Sequence, residues 1–127
     1  MRKLLIVDDE ADVREFASSF FRKRKIEVIT ASSGEEALSV LETQKPDLIL
    51  LDIKMTGIDG IETLRRIKKR DKNSRVIMVS GTKSEDNDSL QKSQQYGALD
   101  FIHKPLELDE LESIVLKTLS EKWSSSG

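Results

Sequence analysis

The chain has 127 residues, 35% of them charged, with a formal net charge of −2 and no cysteine. That length suits one domain with a real core and leaves no room for a second of ordinary size. The charge balance excludes a nucleic-acid platform driven by bulk positive charge, and the missing cysteines exclude a disulfide framework, a thiolate metal site and a cysteine nucleophile.

Strand and helix signals alternate five times. Lys3–Val7 is a buried-strand run ending at Asp8 and Asp9, and Val13, Phe16, Ala17, Phe20 and Phe21 then recur at i, i+3, i+4, i+7 and i+8, predicting one apolar helix face. The basic run Arg22–Lys25 closes that helix, where cations suit the carboxyl end of the dipole. Glu27–Thr30 reads as a short strand. Ser33 supplies an N-cap with Glu36 three residues on, ahead of Ala37, Leu38 and Leu41, and Lys45-Pro46 stops this second helix.

Asp47–Leu51 shows no polar alternation and runs into Asp52, as expected for a central strand covered on both faces. Thr56–Gly60 carries turn chemistry, Ile61, Leu64 and Ile67 mark the third helix, and Arg75–Ser80 is the fourth strand. The helix that follows, up to Tyr96, has the weakest stripe, with Leu90 its only large aliphatic, so mobility is expected between Gly81 and Tyr96. Gly97-Ala98 ends it. Asp100–His103 is the fifth strand, ending at Lys104, and Leu108, Leu111, Val115 and Leu119 line the last helix. The expected domain spans 1–121, with 122–127 a flexible tail or the start of a linker. The longest apolar runs, Leu4–Val7 and Leu48–Leu51, fall far short of a bilayer span, and Met1-Arg2-Lys3 leads into a strand without a cleavable signal. No membrane insertion and a cytoplasmic location are expected.

Five βα units with right-handed crossovers predict an α/β fold with a five-stranded, doubly wound parallel sheet. The flavodoxin-like strand order 2-1-3-4-5 suits such a chain and puts the switch point between the strands ending in Asp8-Asp9 and Asp52. Asp8, Asp9, Asp52 and Lys104 then meet at the carboxyl edge, where open α/β sheets bind ligands. Three converging carboxylates call for a compensating cation, and a donor set of oxygen alone points to a hard ion such as Mg2+. An acid that can act as nucleophile beside a metal and an ammonium suggests phosphoryl transfer through an aspartyl phosphate.

Lys3–Val7 followed by Asp8-Asp9-Glu10, then Leu50-Leu51-Asp52-Ile53-Lys54-Met55, Asp59-Gly60, Val79-Ser80-Gly81, Gly97-Ala98 and Lys104-Pro105 resembles a response-regulator receiver domain from about Lys3 to about Leu119. The motifs that end the first, third, fourth and fifth strands are spaced by whole βα units. The resemblance implies a non-enzymatic signalling domain that assists its own phosphorylation and dephosphorylation. Asp52 would be the phosphoacceptor, taking the group from a sensor histidine kinase or histidine phosphotransfer protein. Asp9 would hold Mg2+ directly, Asp8 largely through water, and Asp52 and the Lys54 carbonyl would complete the protein ligands. Ser80 would donate to one phosphoryl oxygen and Lys104 would pair with another. Phe101 would be the aromatic switch and Lys104-Pro105 a cis peptide. The switched surface would surround helix 4, strand 5 and helix 5, with an output partner the sequence does not name.

Two features depart from the family pattern. Thr56 stands where proline is frequent, which leaves the turn after Asp52 without a preset φ, and Ser84–Ser89 lengthens the segment after Ser80. The last helix, with Glu110, Glu112 and Ser113 taken as exposed, lacks the arginine-bearing face of the transcription-factor branch, so a monomer without direct nucleic-acid binding is expected. Other readings are a phosphorylation-independent pseudo-receiver, an aspartyl-nucleophile phosphohydrolase and a flavin carrier of similar topology. None of the acids or the lysine is missing, Lys54 replaces the second acid that a hydrolase needs, and the first loop holds acids where a flavin phosphate would bind. His103 reads as a packed or surface residue, Trp123 as peripheral, and Met55 and Met78 as core fillers.

Overall fold

The computed structural model describes residues 2–55, 57–81, 86–103 and 108–120. Its elements are β1 (Lys3–Val7), α1 (Ala11–Arg22), β2 (Glu27–Ala31), α2 (Gly34–Val40), β3 (Leu48–Asp52), α3 (Gly60–Arg70), β4 (Val76–Ser80), α4 (Asp86–Gln95), β5 (Asp100–His103) and α5 (Leu108–Ser120). All strands are parallel, in the order β2-β1-β3-β4-β5, so the predicted doubly wound topology is the one observed.

Strand alternation divides the apolar core in two. Leu4, Ile6, Leu48, Leu50, Ile77 and Ile102 face one side and pack with Ala17 and Phe21 of α1 and Leu111, Val115 and Leu119 of α5. Leu5, Val7, Ile49, Leu51, Val76 and Met78 face the other side and pack with Ala37, Leu64 and Ile67. Burial of the central strands on both faces explains why their sequences show no polar alternation.

The helices differ from expectation in instructive ways. In α1 the buried residues are Ala17, Ser18 and Phe21, while Phe16 is 59% exposed. At about 100° per residue, Phe16 lies well round the helix from the centre of that buried arc. Five apolar residues at helical spacing made a stripe wider than the contact they serve. In α2 the Ser33 hydroxyl accepts from Glu36 N at 3.1 Å, as the capping pattern predicts, but the Glu36 carboxylate reaches back to the N–H and hydroxyl of Ser32 rather than to Ser33. The helix also ends at Val40, with Leu41 as its cap, well before Lys45-Pro46.

Two helices end in matching turns. Ala98 N donates to Ser93 O and Gly97 N to Gln94 O, with Gly97 at φ 91°; Ile26 N donates to Phe21 O and Lys25 N to Arg22 O, with Lys25 at φ 64°. These are Schellman closures. Glycine takes the left-handed position in one, and a lysine does so in the other. In α4 the residue that packs inward is Ser93, whose hydroxyl has no hydrogen-bond partner, so the weak stripe seen in sequence is a real deficit of apolar contact. Glu112 is not a free surface acid, because it is ion-paired with Arg24 in the turn after α1, and Arg24 also lies 3.6 Å over the Phe20 ring.

Candidate phosphoacceptor and metal site

The site begins with the register of β1, β3 and β4. Val7 pairs with Leu51 and Asp52 with Val79, so the chain leaves β1 as Asp8 next to the place where β3 ends in Asp52 and β4 ends in Ser80. Asp8, Asp52 and Ser80 are 4%, 4% and 3% exposed, an unusual set of polar residues to bury together. Asp8 and Asp52 both line a cavity of about 20 Å³, whose other walls include Val13 and Ala17 of α1 and Leu111 of α5. That is room for about one water molecule.

Backbone bonds hold Asp8 in place. Its N–H donates to Ala31 O at 3.1 Å, its carbonyl accepts from Arg14 Nη1 at 2.7 Å, and its Oδ1 accepts from Glu10 N at 2.9 Å. Carboxylate oxygens of Asp8, Asp9 and Glu10 lie within 4.8 Å of one another. Asp52 is not a member of that close group, so among the described residues the close acid cluster is built by the β1–α1 turn alone, with Asp52 at its side on the next strand. Glu10 is a participant the sequence reading passed over. Its position directly after the acid pair was the available signal. Arg14 was also missed, although an arginine in the first turns of α1 is well placed to reach the carbonyl of the preceding loop.

Beyond Asp52 the chain closes into a turn. Ile53 N donates to Val79 O at 3.0 Å, continuing the β3–β4 pairing, and Gly60 N donates to Ile53 O at 2.7 Å. Asp59 caps α3, its Oδ1 accepting from Glu62 N at 2.9 Å. Lys54 is exposed within this turn. Phe101 is half-buried against the face that holds Leu64 and Met78, and its ring centroid is 5.3 Å from that of the exposed His103. Met78 is fully buried and Met55 packs at the edge of the same cluster, as expected of gap-filling methionines. Lys104, Pro105, Thr56 and Trp123 lie outside the described residues, as do 82–85, so the predicted lysine and its cis peptide are not part of this geometry; of the polar stretch Ser84–Ser89 expected to lengthen the loop, residues 86–89 instead form the first turn of α4.

The donor set fits a hard divalent cation. Oxygen atoms alone converge, from carboxylates with no histidine or cysteine among them, and the buried member, Asp8, is oriented by the N–H of Glu10. These features define an open α/β domain with an acidic, all-oxygen site at its topological switch point.

The chain belongs to the response regulator receiver domain family, whose model matches residues 4–116. It is 40% identical over 120 residues to sporulation initiation phosphotransferase F of Bacillus subtilis, covering 94% of this chain and 95% of that protein. It is also 43% identical to a protein-glutamate methylesterase/protein-glutamine glutaminase of Geobacillus kaustophilus, but over only 30% of that protein's length. Among solved structures, the response regulator TrrA of Thermotoga maritima in complex with Mg(2+)-BeF aligns with a TM-score of 0.83 at 34% identity, covering 94% of this chain and all of that one. The chemotaxis protein CheY4 of Vibrio cholerae aligns with a TM-score of 0.86 at 26% identity, covering 94% and 99%.

Proposed function

We propose that this receiver domain is a phosphoacceptor in which Asp52 takes a phosphoryl group from a histidine kinase or histidine phosphotransfer protein. The observation that carries the reading is the burial of Asp52 at the carboxyl end of the central strand, directly beside Asp8 and in register with the strand that ends in Ser80. Asp8, Asp9, Asp52 and the Lys54 carbonyl would hold Mg2+, with Glu10 at the edge of the cluster. When bound there, Mg2+ supplies positive charge toward the oxygens of the transferring group.

The rest is done by the chain. The Asp52 carboxylate attacks phosphorus, the P–N bond to the donor imidazole breaks, and its electron pair stays on the imidazole. The Ser80 hydroxyl donates to one phosphoryl oxygen and Lys104 pairs with another. The added charge at the ends of β3 and β4 then biases the surface of α4, β5 and α5, where Phe101 repacks and a partner is engaged. No helix among the described residues is long and apolar enough to cross a membrane.

Incubation with acetyl phosphate and Mg2+ tests this. Intact-mass measurement should find one adduct, labile to hydroxylamine, that is lost in Asp52→Asn and retained in Ser80→Ala. No adduct on wild type, or an equal adduct on Asp52→Asn, overturns the reading in favour of a phosphorylation-independent interaction module.

A further inference from the structure

The first turn of α2 carries two glutamates with different duties. Glu36 serves its own helix end, through Ser32 and Ser33. Glu35 faces away from that cap and accepts a hydrogen bond at 3.2 Å from the N–H of Ile58, 23 residues along the chain in the turn after β3.

The contact is wider than one bond. Gly57 has φ 84°, and a Cβ there would stand 2.6 and 2.8 Å from the two Glu35 carboxylate oxygens, so the carboxylate lies flat against the backbone of two successive residues. Alongside it, α2 meets the same turn with no space to spare. A Cβ on Gly34 would be 2.1 Å from Thr63 Oγ1 and 2.7 Å from Ile58 Cγ1. On its other side the turn is tied to β3 by the bond from Gly60 N to Ile53 O. Between these two anchor points lies Lys54. The residue at position 56 is threonine, which presets no φ as a proline would.

We propose that Glu35 is a positioning residue for the acid site: by clamping Gly57 and Ile58 it holds the turn after Asp52 in the conformation that presents the Lys54 carbonyl to a divalent cation. This rests on the metal-binding reading given above. A ligand carbonyl held in place before the ion arrives costs less ordering on binding, so loss of the clamp weakens affinity although Glu35 itself touches no metal.

Two measurements on Glu35→Ala and Glu35→Gln test it, Mg2+ affinity from amide shifts in an NMR titration and hydrogen exchange at the Ile58 amide. Glutamine keeps an acceptor oxygen without the charge. Glu35→Ala should exchange Ile58 several-fold faster and bind Mg2+ about three- to fivefold more weakly, the size expected from one charge-assisted hydrogen bond at an exposed position. Glu35→Gln should stay close to wild type in both. Unchanged Ile58 exchange in Glu35→Ala overturns the clamp. Faster exchange with unchanged Mg2+ affinity overturns its role at the site. Equal weakening in both variants assigns the effect to lost charge and overturns positioning. A wild type that binds no Mg2+ removes the proposal together with the reading beneath it.

Discussion

Gly60 stands directly against Asp52: a Cβ on Gly60 would lie 2.2 Å from the Asp52 carbonyl oxygen and 2.6 Å from the Ile53 Cα. The first residue of α3 is thus pressed on the backbone of the residue at the centre of the site. Both neighbours are backbone atoms, which cannot swing aside. Gly60→Ala should therefore cost about 1–3 kcal/mol in denaturant unfolding, the range of overpacked cores. It should also shift the Asp52 amide resonance more than those of α5.

Metal binding should register as stability. A native-state ligand raises the melting midpoint by mass action, so millimolar Mg2+ should raise it for wild type and not for Asp9→Ala. Equal rises in both proteins would place the bound ion elsewhere.

The exposed and buried phenylalanines of α1 should behave oppositely. Phe21 is fully buried, and Phe21→Ala should cost about 3–5 kcal/mol. Phe16→Ala should stay within about 0.5 kcal/mol, as surface substitutions do. Chemical denaturation curves of the two variants decide the matter, and similar losses would mean that the apolar face of α1 is as wide as its sequence suggests.

Lys25 adopts a left-handed conformation that glycine takes without steric cost. Lys25→Gly should stabilise the protein, by up to about 1 kcal/mol once glycine's larger chain entropy is set against the relieved strain. Its thermal midpoint should rise, while Gly97→Ala, at the equivalent position after α4, should lower it.

Glu62 should give the stability of the protein a component that acid removes. Hydrogen bonds from Arg65 and then Arg66 hold the Glu62 carboxyl down at about 2, below its ordinary 4.5. A carboxyl depressed in the folded state contributes stability that is present above its unfolded value and lost as pH falls through the folded one. The melting-point gap between wild type and Glu62→Gln should be constant above about pH 5 and close as pH falls toward 2. High salt should narrow the gap at neutral pH, because the trio is on the surface.

The sheet and the positions of Asp8, Asp52 and Ser80 were readable in the sequence because burial of a parallel strand on both faces leaves a short apolar run cut off by a polar residue, too short for a helix and flanked by turn chemistry. Helix faces were less readable. Phe16 fits the period of its helix yet lies outside, because periodicity reports which residues share a face and says nothing of how wide the covering contact is. Glu10, Arg14 and Glu35 went unnoticed for other reasons. Glu35 meets Ile58, 23 residues along the chain, by a bond that leaves no mark in local spacing, whereas Glu10 and Arg14 meet Asp8 within the β1–α1 turn, where their nearness in sequence was a signal that was passed over. The β1–α1 turn shows the same limit from the other side. Three consecutive acids gave the cluster its charge, but only the bond from Glu10 N to Asp8 Oδ1 gives it a shape.

The runs Leu4–Val7, Leu48–Leu51 and Val76–Val79 are apolar at every position, so neither face of the sheet can tell one residue from the next. A strand that slid by one place would exchange its contents between the two halves of the core at little hydrophobic cost. What forbids the slip is the punctuation. At one end Asp47 is stitched to Lys3, with N–H and carboxylate bonds of 2.8 Å in each direction, and at the other a displaced Asp8 or Asp52 would be drawn between apolar layers. The acids proposed to do chemistry thus serve first as stops, and a neutral, smaller residue at either place would loosen the alignment of the sheet before any ligand was involved.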